Sequence, residues 1–185
     1  MTEFEKMRQG LPYSPDDEEL SLFRMAARRL CIERNQLDPE LHEKADIIHT
    51  KLFARKGNNV VIDSAFFCDY GMNLELGDNV FIGLRCTIKD SGHITIGNNV
   101  MIGNAVTISS VSQPLLPNER IAGESELSEP IIIGNHVRVG DGCLILSGVA
   151  IGEGAVILPG SVVSQDVEPF SMVSGNPATE LRRLR

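Results

Sequence analysis

The sequence predicts a mainly β fold, a solenoid whose short strands wind into triangular coils. Three observations lead there. An aliphatic residue recurs at every sixth position, as Leu76, Ile82 and Ile88, then Ile96, Ile102 and Ile108, then Ile133, Val139, Ile145, Ile151, Ile157 and Val163. Glycine follows the aliphatic at positions 77, 83, 97, 103, 134, 140 and 152. Four residues after the first aliphatic of each unit stands a small or branched residue, as at Val80, Cys86, Val100, Val106, Val137, Cys143, Val149, Ala155, Ser161 and Val167. A fixed period marks a solenoid, in which each unit buries its apolar face only against its neighbours. A helix would repeat every three or four residues, and an ordinary strand would alternate. Three units close one coil, with the aliphatic pointing inwards and stacking on its equivalents above and below. The Gly-Asp and Gly-Asn pairs that follow, at 77–78, 97–98 and 134–135, sit where the chain turns, because those residues tolerate left-handed backbone angles.

The elements before the solenoid read as helical. Ser14-Pro15-Asp16-Asp17 is a helix start: Ser14 caps, Pro15 suits the first helical position, and the acids favour the positive end of the dipole. Leu20, Phe23, Ala27, Leu30 and Cys31 share one face, and Asn35 ends the helix. Asp38-Pro39 repeats the start signal, and Leu41, Ala45, Ile48 and Leu52 make the second stripe. His42 and His49 fall among charged neighbours and read as solvated. Such a hairpin buries little by itself, so it is expected to pack on the solenoid or on a neighbouring subunit. Gly57-Asn58-Asn59 breaks the helix, and Val60 to Phe67 is strand-like. The repeat is interrupted once, between Ser109 and Pro130, by a polar insert containing Gln113-Pro114-Leu115-Leu116-Pro117. Long insertions in solenoids leave from one corner and carry function. After Val163 the chain leaves the repeat, turns at Ser174-Gly175-Asn176-Pro177, and is read as a last helical turn over Leu181 to Arg185. The reading therefore divides the chain into a helical hairpin over 1–56, a β-helix over 57–168 with an inserted loop at 109–130, and a tail over 169–185.

The 185 residues carry 17 Lys and Arg against 25 Asp and Glu, a formal charge of −8, which argues against nucleic acid or an anionic membrane surface as the main partner. Arg182, Arg183 and Arg185 are a local exception and read as a solvated tail. No apolar run approaches the ~20 residues of a membrane helix, and Met1 to Arg8 lacks the apolar core of a signal peptide. The four cysteines form no C-x-x-C, and Cys86 and Cys143 stand in the inward row as core thiols. A reducing cytoplasm is the expected compartment.

In order along the chain, the helical hairpin, Phe67-Cys68-Asp69-Tyr70-Gly71, the Ile96-Gly97-Asn98-Asn99-Val100 type of repeat, the insert and Gly175-Asn176-Pro177-Ala178 resemble the maltose, galactoside and nodulation-type O-acetyltransferases of the hexapeptide-repeat superfamily. The resemblance covers nearly the whole chain. It implies a left-handed parallel β-helix, a hand against the usual crossover preference. It implies a homotrimer with each site between two subunits, acetyl-CoA as the acyl donor with no metal required, and a small-molecule hydroxyl acceptor under the insert. The family transfers the acyl group directly, with a histidine of the insert taking the acceptor's proton.

Carried residue by residue, the resemblance places the catalytic histidine on Gln113, in Ser112-Gln113-Pro114. A neutral amide is no general base. His93, in Asp90-Ser91-Gly92-His93, reads first as a solvated turn residue and is the best candidate for a substitute base, and His136 is a weaker one. Acceptor-binding positions fall on Asp16, Asp69, Gly83, Arg85 and Ser91, and donor-binding positions on Arg138, Asp141, Pro159, Ser164, Gln165, Thr179 and Arg182. Arg85 and Arg138 stand where the family has an asparagine and an aromatic, and they would suit an anionic acceptor. Two functions follow: an acyltransferase with an atypical site and a sugar-like or anionic hydroxyl acceptor, or a non-catalytic trimer that binds ligands or partners. A metal enzyme on the same β-helix would need three converging histidines, and only His93 and His136 lie in the repeat.

Overall fold

The computed structural model describes residues 1–121 and 126–184, with the side chains of 120 and 121 outside the description. Its centre is a parallel β-helix with three faces. The first face stacks Arg55–Lys56, Leu74–Leu76, Ile94–Ile96, Ile131–Ile133 and Ala150–Ile151. The second stacks Val61–Ile62, Phe81–Ile82, Met101–Ile102, Arg138–Val139, Val156–Ile157 and Ser171–Gly175, and ends in the antiparallel strand Ala178–Arg183. The third stacks Phe67–Cys68, Thr87–Lys89, Thr107–Ser109, Leu144–Ile145 and Val162–Val163.

The six-residue period produces this register directly. Leu76, Ile96, Ile133 and Ile151 pair in line on the first face. Ile62, Ile82, Ile102, Val139, Ile157 and Val173 do so on the second. Cys68, Ile88, Ile108, Ile145 and Val163 do so on the third. These side chains are buried, as is the small-residue row from Val80 to Ser161. Each large aliphatic so buried contributes about 1.5–3 kcal/mol relative to exposure.

The corner glycines serve a different purpose from the one expected. Left-handed angles occur two positions later, at Asn79, Asn99 and His136 on the first corner and at Arg85 and Ala105 on the second, where Ala65 matches them in the coil before. Gly77 is not left-handed; a Cβ there would lie 2.5 Å from Asn98 Oδ1 and 2.7 Å from the Gly97 carbonyl. Glycine lets successive coils approach that closely. The Asn or Asp after it then links coil to coil: Asn98 Oδ1 accepts the Asp78 N–H at 2.7 Å, and Asn135 Oδ1 accepts the Asn98 N–H at 2.8 Å. The second corner repeats the ladder through Asn104 and Asp141.

Three helices precede the coils: α1 (Glu3–Arg8), α2 (Glu18–Asn35) and α3 (His42–Leu52). α1 was not expected, although Thr2 and Glu5 form a full capping box. α2 starts later than Ser14, with Asp17 as its cap accepting from the Leu20 N–H at 3.1 Å. Ser14 instead donates its N–H to Glu3. α3 is preceded by Leu41 with no side-chain cap, because Asp38 closes a local turn onto the Glu40 N–H. α2 and α3 lie on the solenoid: Ala27, Cys31, Leu52 and Phe53 join the core with Ile62, Phe66 and Cys68. His49 is buried there at 3% exposure rather than solvated; it accepts from Arg34 Nε at 3.2 Å and stacks on Phe53. The expected terminal helical turn is also replaced. Ala178–Arg183 is a strand that folds back on Ser171–Gly175 and covers the edge of the second face; Arg185 lies outside the described residues.

The insert leaves from the third corner. Val111–Ser112 pairs antiparallel with Leu127–Ser128, and a short helix, α4 (Pro117–Ile121), lies between them. The N-terminal segment crosses to meet it. Tyr13 bridges Glu126 through backbone bonds and donates its hydroxyl to Glu126 Oε2 at 2.6 Å. Ser128 Oγ donates to the Met7 carbonyl.

Candidate active site

The candidate residues fall in two groups, fixed by which corner of the coil they occupy. The third corner carries Asp69, Ser91, His93 and Gln113. In two coils it has two extra residues: Cys68 to Leu76 and Ile88 to Ile96 each span eight positions instead of six. Those residues need backbone partners, and Asp90 supplies them. Its Oδ1 accepts from Asp69 N at 3.1 Å and Tyr70 N at 2.8 Å, its Oδ2 from Asn73 N at 3.3 Å, and its carbonyl from Asn73 Nδ2 at 2.8 Å. Asp90 is wholly buried, and burial pushes its carboxyl up to about 7. It is therefore a corner brace. Ser91 is buried beside it, and Ser110 Oγ accepts the Gly92 N–H at 2.8 Å.

Asp69 is half-buried, and burial raises its carboxyl above the ordinary carboxylate value, with Lys89 opposing. Tyr70, next to it, accepts from Arg24 Nη1 at 2.7 Å. Tyr13, Tyr70, Arg24 and Glu126 thus build a polar layer under the insert that the sequence reading missed. The Tyr13-to-insert contact spans more than a hundred positions and leaves no local signal.

Gln113 is exposed in a cavity of about 760 Å³, lined by Pro12, Ser112, Gln113, Pro114, Leu115, Glu119 and Leu127. His93 does not line it. That imidazole is 44% exposed, on the outward side of the first face, with Nε2 3.3 Å from Glu75 Oε1. A carboxylate that orients an imidazole is the arrangement of an assisted base, so the pair keeps His93 a candidate for a site completed from outside this chain. If it serves, His93→Ala is expected to lower turnover by about 10²-fold or more; unchanged kcat in a CoA-release assay excludes the role. Asp16 is exposed just ahead of α2.

The second group lies on the second face and corner. Arg138, Asp141 and Pro159 line a groove of about 680 Å³ with Asp63, Phe81 and Met101. Arg138 and Asp141 are exposed. Gly83 is buried, and a Cβ there would meet Asn104 Oδ1 at 2.7 Å, which accounts for its glycine by packing. Arg85 is exposed at the tip of the second corner, with φ 60°. Thr179 and Arg182 are exposed on the final strand, beside Ser174 and Met172. Ser164 and Gln165 do not join this group: they are exposed at the last third corner, on the side of the first group. His136 is exposed at the first corner, apart from both groups. The third face separates the two groups within one chain, a width of about 20 Å at ~3.3 Å per strand residue. Among the described residues no group of three or more His, Cys, Asp or Glu is arranged to hold a metal, and no helix is long and apolar enough to cross a membrane.

Residues 6–57 match the maltose acetyltransferase hexapeptide capping motif, residues 74–110 the hexapeptide repeat of succinyl-transferase, and residues 130–165 six repeats of the bacterial transferase hexapeptide. A provisionally assigned acetyltransferase of Staphylococcus haemolyticus is 45% identical over 185 residues, covering 100% of this chain and 96% of its own. The chain belongs to the hexapeptide-repeat acetyltransferases. Among solved members of that family, a maltose O-acetyltransferase of Clostridium difficile superposes with a TM-score of 0.98 at 34% identity, covering 100% of this chain and 98% of its own. A hexapeptide-repeat acetyltransferase of Vibrio cholerae, complexed with acetyl-CoA, superposes with a TM-score of 0.90 at 34% identity, with both chains covered completely. Of the motifs that pointed to hexapeptide-repeat acetyltransferases in the sequence, the hairpin and the repeats are spanned by the family matches, and the insert lies between two of them.

Proposed function

We propose that this chain is an acetyl-CoA-dependent acyltransferase that works as a homotrimer, with each site assembled between two copies. One observation carries the reading. Asp69, Ser91 and Gln113, with Ser164 and Gln165, sit on the third corner, and Arg138, Asp141 and Pro159 line the second-face groove, across the third face from them. A second copy can set its second-face groove, with Arg138, Asp141 and Pro159, against the insert and third corner of the first. The groove suits the donor: it is long, it runs across several coils, and Arg138 supplies a cation for a phosphate. The cavity under the insert takes the acceptor, which in the maltose-type relatives is sugar-like. Arg85, at the other end of the corner, is left free to meet an anionic part of either substrate. Four free, buried cysteines fit a reducing cytoplasm.

Calorimetry with CoA, paired with light scattering across a dilution series, tests this. Binding of one CoA per subunit that is lost as the trimer dissociates is the expected result. Full CoA affinity in a monomer would overturn the intersubunit site. A stable trimer that binds no CoA would instead favour a non-catalytic assembly protein.

A further inference from the structure

We propose that the nucleophile this site accepts is an amine on a mainly apolar body, so that the product is an amide. The inference rests on the acyltransferase reading and names its acceptor. Two features of the insert cavity carry it.

The first is the proton. An alkyl hydroxyl is about as weakly acidic as water, whose pKa is about 15.7, so it must surrender its proton while attacking, and a well-matched base is worth about 10²–10⁴ in rate. Among the insert residues that line this cavity, the one at the resemblance's catalytic position is Gln113, a neutral amide. His93 lies outside the cavity against Glu75, and Asp90 is turned inwards onto three backbone N–H groups. Among the described residues that line the cavity, Glu119 alone is titratable, and carboxylates are far weaker bases than imidazole. An amine needs no such help. One with electron-withdrawing neighbours, like an α-amino group, titrates near about 7.7–8.0, so a useful share is already the free base at neutral pH.

The second feature is the lining. Pro12, Pro114, Leu115 and Leu127 make apolar walls, and only Ser112, Gln113 and Glu119 offer polar side chains. A polyol seated there would find only those three polar side chains of this chain as partners. An ammonium drawn in by the Glu119 carboxylate, with an apolar body against the walls, matches the lining. The ammonium gives its proton to bulk water, and the free amine attacks. The nitrogen lone pair forms the N–C bond to the thioester carbonyl, the C–S bond breaks, and a proton leaves nitrogen for the departing CoA sulfur. Acetyl-CoA and R–NH2 become the acetamide and CoA–SH.

The test uses the full-length protein, acetyl-CoA and matched acceptors: benzylamine against benzyl alcohol, and glucosamine against glucose. CoA release is followed together with product mass and resistance to hydroxylamine, which cleaves esters and spares amides. Amide from benzylamine at ten times the benzyl alcohol rate or more, above the enzyme-free rate, is expected. The pH midpoint of kcat/KM should move with the pKa of the amine used, and Glu119→Gln should raise KM for the amine about tenfold. Gln113→His should raise ester formation about tenfold or more. Ester formation on glucose or benzyl alcohol by the unaltered protein, with the amines inert, overturns the amine proposal and leaves the acyltransferase standing. Acetyl-CoA binding with no transfer to any of the four also overturns it. Absence of both binding and transfer overturns the acyltransferase reading itself.

Discussion

Asp90→Ala is expected to lower the unfolding free energy by about 4 kcal/mol, measured by urea denaturation at pH 6 and fixed protein concentration. Three backbone N–H groups, from Asp69, Tyr70 and Asn73, converge on its carboxyl. Asp90 and Asn73 are both nearly inaccessible, so water cannot replace the lost acceptor without opening the corner. Each orphaned donor costs about 1–3 kcal/mol, and the bonds at 3.1 Å and 2.8 Å should dominate the one at 3.3 Å. Asp90→Asn keeps one acceptor oxygen and nearly the same volume, so about half the loss is expected. A full loss in Asp90→Ala with none in Asp90→Asn would show that volume, and not the missing acceptor, sets the cost. Fixed concentration matters because assembly makes apparent stability depend on it. The same corner carries Asp69, so Asp90→Ala should also displace that carboxylate and weaken acceptor use beyond what the stability loss explains.

The coil was legible because its period is enforced by packing at every turn. Each of Ile82, Ile102 and Val139 is fixed by the residue above and below it, so the signal repeats and errors do not accumulate. The purpose of the corner glycines was not legible. Gly77 and Asn79 both read as turn residues, yet one is selected by the closeness of the next coil and the other by its φ of 56°. Only three-dimensional stacking separates those causes. The C-terminal strand was misread because Glu180, Arg182 and Arg183 resemble a solvated helix end. In the fold they protect an exposed sheet edge, a place where charge is equally at home. At the site, Asp69, Ser91, His93 and Gln113 were named through the family resemblance, and the fold places them along one corner. Tyr13, Arg24 and Glu126 were not named, since their meeting depends on how the N-terminal segment crosses the insert. Period six likewise says nothing of a second copy, and the division of the candidates between two corners became visible only once the coils were closed.

His49→Gln is expected to make the protein resist acid better than the unaltered chain between pH 6.5 and 4. His49 reads in sequence as a solvated helix residue, but it lies under α3 against Arg34, Phe53 and the first coil. Burial first, and then the Arg34 guanidinium, push its imidazole down to about 4, with Asp46 opposing and Lys56 adding to the fall. Its unfolded value is near 6.5. A histidine held neutral in the fold gives its full stability above the unfolded value and loses it as pH falls from 6.5 towards 4. At 1.36 kcal/mol per pH unit that gap amounts to about 3 kcal/mol. Asp90 works in the opposite sense. Its folded value of about 7 stands above the unfolded 3.8, so its contribution is complete below 3.8 and is lost as pH rises through 7, over a span of about 4 kcal/mol. The two windows overlap between pH 4 and 6.5, and there the slopes nearly cancel in the unaltered protein. Glutamine can still accept from Arg34 but binds no proton, so the variant keeps only the Asp90 slope. Its unfolding free energy, less that of the unaltered chain, should rise by about 3 kcal/mol on going from pH 6.5 to 4. Every other carboxylate titrates in both proteins and drops out of the difference. Parallel curves across that range would mean that His49 is protonated without cost, and hence that α3 does not seal it from water.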